Sequence, residues 1–150
     1  MSYKLSRYPM KQLVFVFGTL KEGFPNFATN MGKRLPGVFL TRQRYPFYLV
    51  GERHSPWLIN LPGEGERILG QVFEVDQAAL DAMDRLERIT EPDGYRRIVV
   101  EVESSAAGET KVVAAFAYLK QPQHYVATEV RSGPLSEYTL EHAALYRQRT

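Results

Sequence analysis

Only one segment of this chain keeps a helical period; elsewhere its apolar residues come in short β-branched or aromatic runs cut by glycine and proline. The helical segment runs from Asp76 to about Thr90, where Leu80, Met83, Leu86 and Ile89 recur at three-residue steps. Asp76 is suited to the N-cap, where a carboxylate accepts the free N–H groups of the first turn. Val75 and Leu80 stand at the N′ and N4 positions of a hydrophobic staple. Pro92-Asp93-Gly94 closes the segment.

The other runs read as strands. Leu13-Val14-Phe15-Val16-Phe17 is continuous, apolar and stops at Gly18-Thr19, as a buried strand ending in a tight loop does. Gly23 and Pro25 mark a loop, and Pro25 or Asn26 opens a short helix toward Arg34. Val38 to Val50 alternates around a turn at Pro46. Trp57 to Leu61 is closed by Pro62-Gly63-Glu64-Gly65, and Ile68 to Val75 returns to the sheet. Tyr95 to Val102 and Lys111 to Leu119 flank the polar turn Ser104 to Thr110 as a hairpin. A helix is expected in the tail, Ser136 to Arg149, with a weak apolar face. Many strands with one strong helix predict a mixed α+β fold, a mixed sheet or small barrel with helices packed on it.

The chain has 150 residues, a length that fits one domain and buries roughly two-thirds of its unfolded surface without metal or disulfide. We expect one domain over 1–150, with a core at about 12–120 and a variable tail at 121–150. Apolar residues make up 44% and charged residues 24%, the balance of a soluble globular protein. No run approaches the roughly 18 apolar residues of a membrane span. Met1 to Arg7 lacks a signal-peptide core, which makes the cytoplasm the expected location.

The chemistry available is narrow. There is no cysteine, which removes thiolate catalysis and cysteine-ligated zinc. His54, His124 and His142 form no helical metal pair. No serine elbow, P-loop or dinucleotide fingerprint occurs. A net charge of +2, with Arg42, Arg44, Arg53 and Arg67 scattered, argues against a nucleic-acid partner. The expected site therefore uses no metal or cofactor and runs on carboxylate, hydroxyl and backbone groups.

Two features suit such a site. Glu87 follows Leu80 by seven residues and Met83 by four, so a helix returns it to the apolar face. Asp81, Asp84, Arg85 and Arg88 are assigned to the solvent face. An inward carboxyl has a raised pKa by desolvation, which suits proton transfer near neutrality. The same position also fits a boundary glutamate paired with Arg96 or Arg97, and periodicity leaves both readings open. At the end of the first strand, Gly18 lets backbone N–H groups face a ligand closely, or is simply a turn glycine with positive φ. Trp57 is either a pocket wall or core.

Together these segments form a pattern. Val14 to Gly23, reading Val-Phe-Val-Phe-Gly-Thr-Leu-Lys-Glu-Gly with Pro25-Asn26 after it, resembles the opening Y-G-T-L-K-x-G-x-x-N signature of the γ-glutamylcyclotransferase-like superfamily. Tyr45-Pro46, Val50-Gly51-Glu52, Pro56-Trp57-Leu58, Leu61 to Gly65 and Gly70 to Val75 resemble its γ-glutamylamine cyclotransferase (AIG2-like) branch. Met83-Asp84-Arg85-Leu86-Glu87 is similar to the branch's L-D-x-x-E, and Gly94-Tyr95-Arg96-Arg97 to its tyrosine–basic segment. The resemblance covers roughly residues 12 to 120. Phe17 stands where the family has tyrosine, and Arg88 where a small residue is common.

The resemblance implies a γ-glutamylcyclotransferase-like fold and an enzyme releasing 5-oxoproline and a free amine from γ-glutamyl amines. It places the catalytic glutamate at Glu87 and substrate contacts at Phe17, Gly18, Thr19, Leu20, Trp57 and Tyr95. The substrate's own α-amine is the nucleophile, so ring closure supplies proximity and the protein handles protons. The expected partner is a small γ-glutamyl compound, with neither nucleic acid nor membrane involved. The alternatives are a non-catalytic binding module on the same fold, or a cyclotransferase for γ-glutamyl amino acids or a specialised metabolite.

Overall fold

The structure, a computed structural model, describes residues 11–106 and 108–150. The amino-terminal stretch from Met1 to Arg7, on which the signal-peptide expectation rests, lies outside them. Nine strands and two α-helices are present among the described residues. In chain order they are β1 (Gln12–Val16), β2 (Lys33–Arg34), β3 (Phe39–Tyr45), β4 (Phe47–Val50), β5 (Ser55–Leu58) and β6 (Glu66–Val75). Helix α1 (Gln77–Leu86) follows, then β7 (Arg96–Ala106), β8 (Glu109–Leu119), β9 (Val130–Ser132) and α2 (Leu140–Ala143).

Strand β1 explains why Leu13 to Phe17 reads as an unbroken apolar run. It pairs with β8 on one edge and β6 on the other, so the order β1-β8-β7-β3-β6 closes into a five-stranded barrel with β2 beside β6. Both of its faces are buried. Phe15 and Phe17 join a cluster with Phe39, Ile68, Val72, Val102 and Ala117, while Val14 and Val16 meet Phe73, Leu80 and Met83 of the layer formed with α1. A strand covered on both sides has no polar face to alternate with. A small second sheet, β5-β4-β9, joins the barrel where Ile59 bridges Lys120 in parallel.

Most strand expectations hold, but the hairpin turn expected at Ser104 to Thr110 is much tighter, because β7 and β8 stay paired out to Ala106 and Glu109. Proline cannot donate to a sheet ladder, and at Pro46 the chain leaves β3 in the barrel for β4 in the small sheet. The strand expected at Trp57 to Leu61 is Ser55–Leu58 instead, paired in register with β4. The short helix expected from Pro25 or Asn26 is only a 3-10 turn, Phe27–Thr29. Its continuation is stopped by Asn30, which donates to the Leu20 carbonyl at 3.0 Å and accepts from the Gly32 N–H at 3.1 Å. In the tail the helix is one turn, and Tyr138 is fully buried in the barrel cluster.

Helix α1 starts as its sequence dictates. The Asp76 carboxylate accepts from the Ala79 N–H at 2.9 Å, and Val75 and Leu80 are buried in the same cluster. Asp76→Ala is expected to cost about 1 kcal/mol of stability in urea denaturation. The helix ends at Leu86, earlier than the periodicity extended it. Arg88 adopts a left-handed φ of 54°, the Ile89 N–H reaches the Asp84 carbonyl at 3.3 Å, and the Arg88 N–H reaches that of Arg85 at 3.1 Å. That is a Schellman turn with arginine where glycine is usual. Glu87 is the C-cap.

Candidate active site

The Schellman turn decides where Glu87 points. Its N–H still bonds to the Met83 carbonyl at 2.9 Å, and its own carbonyl accepts from the Tyr95 N–H at 3.0 Å. The end of α1 is thereby clamped to the start of β7. Gly94 makes the clamp possible: a Cβ there would stand 1.7 Å from the Arg88 carbonyl oxygen. Arg88 pairs with Asp93 at 3.1 Å and with Glu91 at 3.7 Å, closing the turn from outside.

Glu87 opens into a cavity of about 810 Å³. The other six residues singled out in the sequence, Phe17, Gly18, Thr19, Leu20, Trp57 and Tyr95, line the same cavity. They come from the end of β1, from β5 and from the start of β7, segments far apart in sequence. No described residue donates a hydrogen bond to the Glu87 carboxyl. The pairing with Arg96 or Arg97 that periodicity left open is not formed. Arg96 donates to backbone carbonyls including that of Glu91 at 3.1 Å, and Arg97 pairs with Asp84. Asp84 is accordingly not on the solvent face; it is half-buried and also accepts from the Tyr118 hydroxyl at 2.7 Å.

Burial pushes the Glu87 carboxyl up to about 7, although Lys120, Arg149 and Arg53 pull it down. A carboxyl with that value is divided between acid and base at neutral pH. Lys120 is itself pushed down to about 8 by burial. Its ammonium lies 4.4 Å from the Trp57 ring centre and 4.7 Å from that of Tyr95, and it donates to the Asp93 carbonyl. Tyr95 is held by its hydroxyl, which donates to the Pro56 carbonyl at 3.0 Å. Trp57 and Tyr95 thus form a wall around a cation beside the carboxyl.

The Gly18 to Leu20 loop lines the same cavity and is a built feature. Gly18 has no positive φ, so the turn-glycine reading fails. Its glycine serves close approach, since a Cβ would meet Pro56 Cγ at 3.0 Å. The Lys21 N–H closes onto the Gly18 carbonyl at 3.1 Å, and the Asn26 N–H onto the Thr19 carbonyl at 2.8 Å. The N–H groups of Gly18, Thr19 and Leu20 have no partner among the described residues. A turn that presents amide donors in this way suits a carboxylate or oxyanion. The Phe17 ring packs edge-on against Phe47 at 5.3 Å, so this position contributes an apolar contact in place of a phenol.

The sequence profile of the family described as "Gamma-glutamyl cyclotransferase, AIG2-like" matches residues 14–140. The chain belongs to that family. This AIG2-like chain is 39% identical over 114 residues to "Gamma-glutamylaminecyclotransferase B" of Danio rerio, a match covering 72% of the chain and 59% of the relative. It is 32% identical over 114 residues to "Gamma-glutamylaminecyclotransferase" of Rattus norvegicus, covering 70% of the chain and 75% of the relative. Its fold matches the crystal structure of an AIG2-like protein from Mus musculus with a TM-score of 0.75 and 28% identity, over 93% of this chain and 97% of that one. The match spans less than two thirds of the zebrafish relative's length. No helix among the described residues is long and apolar enough to cross a membrane.

The family match runs on to residue 140, past the expected core at 12–120. The AIG2-like cavity also takes residues that the sequence reading did not select: Lys120, Asn26, Arg53, Tyr146, Gln148 and Arg149. Lys120 carried one legible signal, a lone lysine directly after the apolar end of β8. The tail residues carried none, because one helical turn with a weak apolar face gives no period to read.

Proposed function

We propose that this protein is a γ-glutamylamine cyclotransferase that releases 5-oxoproline and a free amine, with Glu87 carrying the protons. The observation that carries the reading is a carboxyl raised by burial to about 7, opening into a cavity that is also lined by Gly18, Thr19 and Leu20, whose N–H groups have no partner among the described residues. Family membership and the named relatives support the same reaction.

The substrate's α-ammonium loses a proton to the Glu87 carboxylate, and the free amine attacks the γ-carbonyl carbon. A C–N bond forms and closes the five-membered ring. Glu87 returns that proton to the nitrogen of the old amide bond, which breaks as the amine leaves. The ring nitrogen gives up a second proton, again relayed through Glu87, and the amine departs as ammonium. Two protons move from one nitrogen to the other, and no oxidant or co-substrate is consumed. Ring closure supplies the proximity that a separate nucleophile would otherwise have to provide. The Gly18-Thr19-Leu20 donors hold the α-carboxylate or the developing oxyanion, and Trp57 and Tyr95 wall the pocket.

The test is release of 5-oxoproline from γ-glutamyl-ε-lysine, γ-glutamyl-alanine and glutathione, each supplied separately. The reading expects faster release from γ-glutamyl-ε-lysine than from glutathione; no release from any γ-glutamyl compound contradicts it. A cytoplasmic location belongs to the same reading, and cell fractionation tests it.

Lys120 gives a second, electrostatic test. Its cation lowers the Glu87 pKa, so removing it raises that pKa. Lys120→Gln is expected to move the acid limb of the pH–rate profile upward by about one unit. An unmoved limb would show that the ammonium does not act on Glu87.

A further inference from the structure

Asp84 stands three residues before Glu87, as its neighbour along α1, and unlike Glu87 it has both carboxylate oxygens occupied. One accepts from the Tyr118 hydroxyl at 2.7 Å, and the other from the Arg97 guanidinium. Arg97 is fixed in turn. It lies opposite Tyr118 in the β7–β8 ladder, with its guanidinium 4.7 Å from the centre of the Phe116 ring. Tyr118 is 3% exposed and clusters with Leu80 and Met83, yet it lines the same cavity as Glu87.

That arrangement fixes what Tyr118 can offer. Its one hydroxyl hydrogen goes to Asp84, and no described residue donates to its oxygen. Burial, the bond to Asp84 and the charges of Asp84 and Glu87 all push the hydroxyl above its ordinary value, so it keeps that hydrogen at neutral pH. Toward the cavity the phenol is therefore an acceptor. A phenol free to turn would offer its hydrogen to the Glu87 carboxylate, whose charge it feels. Such a bond favours the ionised carboxylate and weakens it as a base.

The α-ammonium of a γ-glutamyl unit brings three N–H groups, and Glu87 takes its protons one at a time. We infer that Tyr118 binds this nitrogen through its oxygen, with Asp84 and Arg97 as positioning residues that keep the phenol hydrogen out of the cavity. This rests on the cyclotransferase reading above. Once Glu87 has taken the first proton, the amine retains two hydrogens. Holding one of them on Tyr118 sets the direction of the lone pair that attacks the γ-carbonyl.

The experiment compares γ-glutamyl-ε-lysine with Nε-glutaryl-lysine, which differ only in the α-ammonium. Affinity for each is measured by calorimetry on the full chain carrying Glu87→Gln, so that turnover does not consume the ligand. Adding Tyr118→Phe is expected to weaken the γ-glutamyl compound about tenfold and to leave the glutaryl compound unchanged. Asp84→Asn, added instead, should act the same way. Arg97 claims the asparagine carbonyl, so the amide group donates to the Tyr118 oxygen and uses up the acceptor. Equal weakening of both ligands by Tyr118→Phe would assign the residue to the fold alone, and no weakening of either would deny the contact. Each of those results overturns the inference, as does binding of neither ligand to the Glu87→Gln chain. An effect of Tyr118→Phe that Asp84→Asn does not share overturns the positioning role. The wild-type chain is assayed in parallel for 5-oxoproline. Release with an unshifted ligand preference would sink the Tyr118 contact and leave the reaction standing; a shifted preference without release would do the reverse.

Discussion

Replacing Glu87 by glutamine is expected to lower turnover by about 10² or more while the protein folds and still binds substrate. Glutamine keeps the side chain's size and its place at the C-cap, since the clamp to Met83 and Tyr95 is made by backbone groups. What it loses is the proton. Its two titratable neighbours in the aromatic wall are poorly suited to replace it: burial lifts Tyr95 well above its ordinary value, and Lys120 is turned toward two rings and the Asp93 carbonyl. Near-normal turnover in the variant would remove Glu87 from the mechanism.

The same substitution should stabilise the protein at alkaline pH. Burial raises Glu87 from 4.5 to about 7, so between those values the folded state binds a proton that the unfolded state has released. Stability therefore falls as pH rises from about 4.5 to about 7, and the ionised carboxylate costs on the order of 3 kcal/mol above that range. Glu87→Gln escapes this cost. Urea denaturation should find the variant more stable than wild type at pH 8, with the gap closing as pH falls below about 4.5. Such a trade of stability for activity is common at catalytic positions.

Gly94→Ala is the second large effect. The new methyl group would overlap the Arg88 carbonyl oxygen, a backbone atom that cannot swing aside as a flexible side chain can. Either the turn after α1 opens or the start of β7 moves. A loss of about 3 kcal/mol follows from overpacking of this kind. Because the turn also aims Glu87, displacement by about 1 Å carries a further loss of turnover near 10²-fold. Gly63→Ala separates strain from overlap. Gly63 has a φ of 99° but nothing near its missing Cβ, so alanine there should cost only about 1 kcal/mol and leave turnover alone.

How far the sequence could be read follows from which interactions are local. Asp76, Val75 and Leu80 announced the start of α1 because caps and staples act within one turn. Glu87 was legible as inward because Leu80 and Met83 lie on its face, even though the helix stops one residue before it. The end of α1 was not legible: a Schellman turn asks for glycine, and here Arg88 holds the left-handed φ. The position of Gly18 was readable, but its purpose was not. Its contact is with Pro56, a residue of β5 that only the fold brings near. Barrel closure by β1 and the placement of Arg53 against the tail are likewise long-range. Arg53 meets Arg147 across ninety-four positions of chain, a separation over which no periodicity speaks.

The most direct test of the account is to incubate the wild-type chain and Glu87→Gln in parallel with γ-glutamyl-ε-lysine and to quantify both 5-oxoproline and free lysine. Intramolecular aminolysis predicts the two products in equal amounts from the wild type and almost none from the variant. Lysine released with free glutamate in place of 5-oxoproline would mean hydrolysis, and no release of either product would mean a binding protein. Each of those results would contradict the account.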